Sequence, residues 1–336
     1  IVDEYGADAL RFTLAFMCTP GQNILINKDD FKLGSKFSNK VWNASRFILM
    51  NLDGCDYEER PVYKPLDLWI RHRLNETAKA VAEAFSVYRF NDAAKSVYEF
   101  FWNDFCDWYV EASKIDTRSG DAAERNRAIS VLLQILELSL RLMHPFLPFV
   151  TEELYGSLPN KQGLLIGQDF PAYDEAHCSA ETADHMTALQ DSITAIRTLR
   201  SEFGISPEKK IAVSFKVDKA DLAAFMKAQT QVIALLVNAD RVDWVAEKPA
   251  HSVALAGARA EMYIDTSVAI DSAALRQKLE KQYEQEKSFI ERGKAKLANK
   301  DFASRAPAEV IKAEQDKLGH AEELVSRLKR YLEDLA

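Results

Sequence analysis

The stretch Ile311-Lys-Ala-Glu-Gln-Asp-Lys-Leu-Gly-His-Ala-Glu-Glu-Leu-Val-Ser-Arg-Leu-Lys-Arg-Tyr-Leu-Glu-Asp-Leu335 decides how the end of this chain folds. Ile311, Leu318, Val325 and Leu332 recur every seven residues, and Ala321, Leu328 and Leu335 stand three residues after the last three of them. An apolar repeat of that kind is a coiled-coil seam, because it keeps one stripe of the helix turned toward a partner. Upstream, Leu279, Tyr283, Ile290 and Leu297 follow the same repeat, with Glu286 and Gly293 as imperfect members. Between the two seams lies Asn299-Lys-Asp-Phe-Ala-Ser-Arg-Ala-Pro307, whose proline suits the opening of a second helix. Two seams joined by so short a link predict an antiparallel hairpin over residues 271–336. A parallel dimeric zipper is the alternative, but one chain already supplies both partners.

The texture before the hairpin is different. Residues 183–203 read as helix, and residues 210–217 alternate as Ile211, Val213, Phe215 and Val217, a strand pattern. Residues 221–237 return to helical spacing. Residues 241–246, 252–256 and 260–265 read as short strands, the last two able to form a hairpin across Gly257-Ala258-Arg259. Residues 181–270 therefore form a small α/β unit.

Most of residues 1–180 reads as helix. Apolar spacing runs from Asp29 to Leu52, from Pro65 through Phe85, from an expected N-cap at Asn91 through an aromatic-rich stretch, from Ala122 to Met143, and again after Pro148. Residues 157–180 carry more Gly, Pro, Asn and Asp and read as a surface connection. Helices of this length with short links pack as a bundle. The fold class is mainly α: a helical bundle, a small α/β unit and a C-terminal coiled-coil hairpin.

Composition narrows the function. Of 336 residues, 43 are Lys or Arg and 51 Asp or Glu, a net charge of −8, which excludes a histone-like or tail-type nucleic-acid binder. The charge is uneven. Residues 271–336 carry 14 cations and 13 acids, leaving −9 for the preceding 270 residues, and residues 287–312 hold seven cations against three acids. A projecting arm with a basic end suits a phosphate backbone; a solubilised coiled coil with paired flanking charges is the plainer alternative. Cys18, Cys55, Cys106 and Cys178 lie far apart without a C-x-x-C pair, which argues against a zinc ribbon, and no metal ligand set is read. No run of about 18 apolar residues occurs, so no membrane span is expected. The chain begins at Ile1 without Met, as a piece of something longer would. No nucleophile elbow, phosphate loop or H-E-x-x-H pattern is present, and the six histidines are scattered. The residues point to a binding module, with no catalytic group.

Two faces stand out. On the helix after Ser35, Lys36, Asn39, Lys40, Asn43, Arg46 and Phe47 fall within an arc of about 120°, while Phe37, Val41, Ala44 and Ile48 adjoin it and face the core. Cations, amides and a ring together suit unpaired bases and their phosphates; from the spacing alone, an ordinary solvated face with Phe47 tucked against a neighbour is the plainer reading. The run Phe100-Phe-Trp-Asn-Asp-Phe-Cys-Asp-Trp-Tyr-Val-Glu111 reads as core packing, and Asp104, Asp107 and Glu111 lack the partners of a carboxylate or metal centre.

Several motifs then resemble a known family. Asp3-Glu-Tyr-Gly-Ala-Asp-Ala-Leu-Arg-Phe12 resembles the segment near the KMSKS loop of class I aminoacyl-tRNA synthetases. Phe37-Ser-Asn-Lys-Val-Trp-Asn-Ala-Ser-Arg-Phe47, Trp102-Asn-Asp-Phe-Cys-Asp-Trp-Tyr-Val-Glu-Ala-Ser-Lys114 and His144-Pro-Phe-Leu-Pro-Phe-Val-Thr-Glu-Glu-Leu154 are similar to stretches of the anticodon-binding domain in the valine, isoleucine and leucine group. The C-terminal arm, with Leu297-Ala-Asn-Lys-Asp-Phe302 and Ala306-Pro307 at its turn, resembles that of the valine–tRNA ligases, whereas isoleucine enzymes commonly carry a zinc-binding segment there.

The resemblance implies a division into 1–180 (anticodon-binding, with 1–28 a linker from an absent catalytic domain), 181–270 (connecting unit) and 271–336 (tRNA-binding arm). It implies ATP-dependent attachment of valine to tRNA(Val), with magnesium, by a cytoplasmic monomeric full-length enzyme that engages neither DNA nor membrane. The chain lacks the ATP motifs and the editing domain, so no activity and no cofactor are expected of it alone. The face Lys36, Asn39, Lys40, Asn43, Arg46 and Phe47 is then expected at the anticodon loop, and Arg292, Lys294, Lys296, Lys300 and Arg305 at the tRNA elbow. An isoleucine or leucine sibling, or a helical protein-interaction scaffold, are the competing expectations.

Overall fold

The computed structural model describes residues 1–19, 21, 23–159, 161–257, 259–266, 272–298 and 308–335, and divides into two compact units, Ile1–Thr187 and Ala188–Ala336. The first unit is a helical bundle: α1 (Val2–Tyr5), α2 (Ala7–Met17), α3 (Lys32–Met50), α4 (Pro65–Ser86), α5 (Phe90–Glu99), α6 (Glu111–Thr117), α7 (Ala122–Met143) and α8 (Pro148–Gly156). Helix α9 (Ala180–Glu202) crosses the boundary between the units.

Helix starts follow local chemistry. Pro65 opens α4, where a missing N–H is harmless, and the Asp67 carboxylate accepts the Lys64 backbone N–H at 2.8 Å. Asp121 caps α7 by accepting the Ala123 N–H at 2.9 Å. Asn91 does not cap α5 as expected. Tyr88 takes a positive φ of 60°, so the chain turns early, Arg89 stands at the N-cap and Asn91 is buried in the first turn.

Between α5 and α6 the chain winds as a π-helix, Phe100–Val110. Wider turns move buried positions to a spacing of four to five, so Phe100/Phe101, Phe105/Cys106 and Tyr109/Val110 all face inward. The aromatic run is core, as its composition predicts. Phe12, Phe37, Phe101 and Phe105 are fully buried, with Phe12 and Phe37 ring centroids 4.6 Å apart. Helix α2 thus packs into the bundle through Asp8, Ala9, Phe12 and Thr13. Where α2 crosses α3, Gly34 is obligatory: a Cβ there would stand 2.4 Å from the Ala9 carbonyl oxygen.

A largely buried network ties α4, the π-helix, α6 and α7 together. The Arg127 guanidinium on α7 reaches Asp67 at 2.5 Å and Asp116 at 2.6 Å, and the Tyr109 hydroxyl donates to Asp67 at 2.6 Å. Burial opposes the charge of Arg127, but Asp67 and Asp116 outweigh it and hold its pKa above the usual value.

The second unit carries β1 (Ile211–Lys216), α10 (Ala220–Ala228), α11 (Thr230–Val237), β2 (Ala239–Trp244), β3 (Ser252–Ala256) and β4 (Glu261–Asp265). The sheet order is β2-β1-β4-β3, with β1 parallel to β2 and β3-β4 an antiparallel hairpin. Ile211, Val213 and Phe215 alternate inward, as read from sequence. The single helix expected over 221–237 is instead two, bent by 64°; among the described residues no single helix is long and apolar enough to cross a membrane. Asn238, left-handed at φ 51°, ends α11, whose last carbonyls accept from Arg197 and Arg200.

The hairpin comprises α12 (Ser272–Ala298) and α13 (Ala308–Asp334), antiparallel as expected. Its base is rooted in this unit: Leu275, Leu279, Leu328 and Tyr331 are buried, and the Tyr331 ring meets Phe203 edge-on at 5.3 Å. Asp334 accepts the Ala254 N–H at 2.7 Å, sealing part of the β3 edge. A Cβ on Gly293 would lie 3.1 Å from Leu318 Cδ1, so that imperfect seam position marks a close helix approach.

Candidate nucleic-acid interface

Helix α3 is held by its inward residues. Gly34, Phe37, Val41, Ser45 and Ile48 are buried, and the Gly34 N–H donates to the Thr13 hydroxyl at 3.2 Å. Opposite them runs an exposed stripe: Lys32, Lys36, Asn39, Trp42, Asn43, Arg46 and Met50. Its centre lies about 40° further round the helix than the arc read from sequence, at 100° per residue. Four of the six expected residues, Lys36, Asn39, Asn43 and Arg46, therefore stand together in solvent. The other two fall on the flank.

Lys40 is half-buried, its ammonium 2.7 Å from an Asp107 carboxylate oxygen and 5.1 Å from the Trp102 ring centre. Phe47 is half-buried, with the Lys114 ammonium 5.6 Å over its ring. Trp42 takes the place of an accessible ring at 43% exposure, a residue that sequence reading passed over. Its signal was available: Trp42 follows Asn39 by three residues and precedes Arg46 by four, the spacing of one helix face. Lys36 and Arg46 form no ion pair among the described residues, so their charges are uncommitted.

Asp104 and Asp107 of the π-helix and Glu111 at the start of α6 are paired one by one. Asp104 accepts from Arg73 at 2.8 Å, Asp107 pairs with Lys40, and Glu111 with Lys114 at 2.6 Å. Burial pushes the Asp104 carboxyl up and Arg73 pulls it back. Three acids, each with its own cation, form no carboxylate centre.

On the hairpin, Lys294 reaches Glu322 at 2.6 Å and Lys296 reaches Glu314 at 3.0 Å, both pairs spanning α12 and α13. Lys296 holds the Glu314 carboxyl below its usual pKa. Arg292 is exposed and donates to the Ser288 carbonyl at 3.3 Å. Lys300 and Arg305 lie outside the described residues. Lys294 and Lys296 stay in solvent, so pairing with an acid leaves them able to meet phosphate at the expense of weak surface bridges.

Two family models match. The anticodon-binding domain of tRNA ligase matches residues 67–215, and the valyl tRNA synthetase tRNA binding arm matches residues 271–336. The valine–tRNA ligase of Treponema denticola is 42% identical over 99% of this chain and 39% of its own length. That of Treponema pallidum is 41% identical over 100% of this chain and 38% of its own length, and that of Thermotoga maritima 37% over 100% and 38%. The chain belongs to the valine–tRNA ligase family. It spans about two fifths of the length of these relatives, 38–39%, and corresponds to their C-terminal part. The anticodon-binding match begins at Asp67, after α3, whereas the likeness to whole ligases runs through α3 as well.

Proposed function

We propose that this chain is the tRNA-contacting region of a valine–tRNA ligase. The first unit meets the anticodon stem-loop and the hairpin meets the tRNA elbow, while a full-length enzyme attaches valine to tRNA(Val) using ATP and magnesium. The observation that carries this reading is the α3 stripe, where Lys36, Asn39, Trp42, Asn43 and Arg46 stand in solvent on one face with both cations uncommitted. Cations neutralise phosphate, amides read base edges, and an indole face stacks an unpaired base. The family relationship supports the same assignment. In this reading residues 1–180, 181–270 and 271–336 act as anticodon-binding body, connecting unit and arm, with Arg292, Lys294, Lys296, Lys300 and Arg305 toward the elbow. The enzyme acts in the cytoplasm as a monomer.

Filter binding of a valine tRNA transcript to the 336-residue chain tests it. Binding should weaken when the anticodon loop is replaced and when Arg46 is changed to Ala. Equal affinity for the transcript and for an unrelated RNA of the same length would contradict the proposal.

A further inference from the structure

Distance along the sequence hides a second constellation, which the fold assembles in the first unit. His72 and Glu76 stand one helical turn apart on α4, on the same face. The connector after α8 returns to that face and brings Cys178 beside them. One ligand atom from each of His72, Glu76 and Cys178 lies within 4.8 Å of the other two, and Cys178 Sγ is 3.9 Å from Glu76 Oε1.

The connector is fixed there first by a contact outside the three and then by contacts to them. Asn75 donates to the Asp174 carbonyl at 2.9 Å and accepts the Asp174 N–H at 2.8 Å, a two-point clamp from α4 onto the connector. Cys178 closes the short turn Glu175–His177. The Ser179 N–H donates to His72 Nδ1 at 3.3 Å, so that nitrogen presents a lone pair toward the segment bearing Cys178. The Tyr173 hydroxyl stands 3.0 Å from Cys178 Sγ, a further oxygen on the cluster.

We infer that His72, Glu76 and Cys178 form a zinc site that clips the connector to α4. The donor set of imidazole, carboxylate and thiolate suits zinc and excludes magnesium and calcium, which take oxygen ligands. Zinc bonds of 2.0–2.3 Å in tetrahedral geometry place ligand atoms about 3.5 Å apart, so the cluster needs to close by only about 1 Å. On binding, the Cys178 thiol releases its proton to solvent, His72 exchanges the Ser179 hydrogen bond for the metal, and the fourth position is open to Tyr173 or water. The clip holds the connector to α4 and is separate from the RNA contacts proposed on α3.

Cobalt titration of the metal-stripped, reduced 336-residue chain is the test. The expected result is one cobalt per chain with a near-ultraviolet thiolate-to-cobalt charge-transfer band, displaced by one equivalent of zinc. Cys178→Ser should abolish the band, His72→Ala should weaken binding tenfold or more, and Cys55→Ser should leave both unchanged. Cys178 is exposed, so its serine variant keeps the fold. Zinc should raise the melting temperature of the parent chain and not that of Cys178→Ser. No band in the parent chain, a band that persists in Cys178→Ser, or unaltered affinity in His72→Ala would each overturn the site.

Discussion

The Lys40 ammonium stands 2.7 Å from an Asp107 carboxylate oxygen, joining α3 to the π-helix on the margin of the proposed RNA face. A cation so placed belongs to the bundle, while Arg46, six residues on, is exposed and has no ion-pair partner among the described residues. Lys40→Ala should therefore lower stability by up to about 1 kcal/mol, the range of a partly exposed bridge. It should weaken tRNA binding less than Arg46→Ala does. Urea denaturation and filter binding of the two variants check the contrast; equal losses of affinity would show that Lys40 also meets RNA.

Trp42 and Phe47 should separate in the same way. Trp42→Ala removes an exposed ring, so it should weaken tRNA binding by about 1–3 kcal/mol, the value of one stacked base, with little change in melting. Phe47→Ala should act chiefly on stability. Quenching of Trp42 fluorescence by tRNA, measured against the Trp42→Phe variant, reports the contact directly.

The Arg127 network should be the most sensitive point of the first unit. Arg127→Ala strands the buried Asp67 carboxylate, and removing one member of a buried pair costs about 3–5 kcal/mol. Tyr109→Phe removes one donor to that carboxylate and should cost about 1–3 kcal/mol. Denaturant midpoints of both variants check the order.

Acid should weaken the bundle through His144. Thr151 gives its hydroxyl proton to the Leu147 carbonyl at 2.7 Å, so His144 Nδ1, 2.9 Å away, donates to the Thr151 oxygen. Burial lowers the His144 pKa below its ordinary 6.5. The unfolded chain then takes up its proton first as pH falls, so stability is lost from about 6.5 downward, until the folded histidine also protonates. His144→Gln should flatten that loss in urea midpoints compared at pH 7.5 and 5.5, values about one unit either side of the transition. An unchanged slope would assign the pH dependence elsewhere.

For the hairpin, point substitutions are cleaner than deletion, because Leu275, Leu279 and Tyr331 are buried in the second unit. Arg292→Ala and Lys294→Ala should each reduce the salt dependence of tRNA binding by the equivalent of roughly one phosphate contact, a slope of about 0.7–0.9. An unchanged slope in both would place the RNA away from α12.

Much of this architecture was legible in order along the chain. The heptads at Ile311 and Leu318, the alternation at Ile211 and Val213, and Pro65 and Asp121 at helix starts all act through neighbours within a few residues. What escaped depends on remote partners. Arg127 meets Asp67 across 60 residues, and Cys178 meets Glu76 across 102, distances that no local period encodes. The phase error on α3 has a simpler origin. Lys40 and Phe47 look polar-face by angle, but the π-helix and α6 extend far enough to cover that flank, and only packing reveals it.

One measurement bears most directly on the proposed contact between the α3 stripe and the anticodon loop. It is the affinity of valine tRNA for Asn43→Ala/Arg46→Ala, with the melting temperature of the variant measured alongside. The expected result is a loss of tenfold or more, about 1.4 kcal/mol, at unchanged melting. Parental affinity in a folded double variant would contradict it.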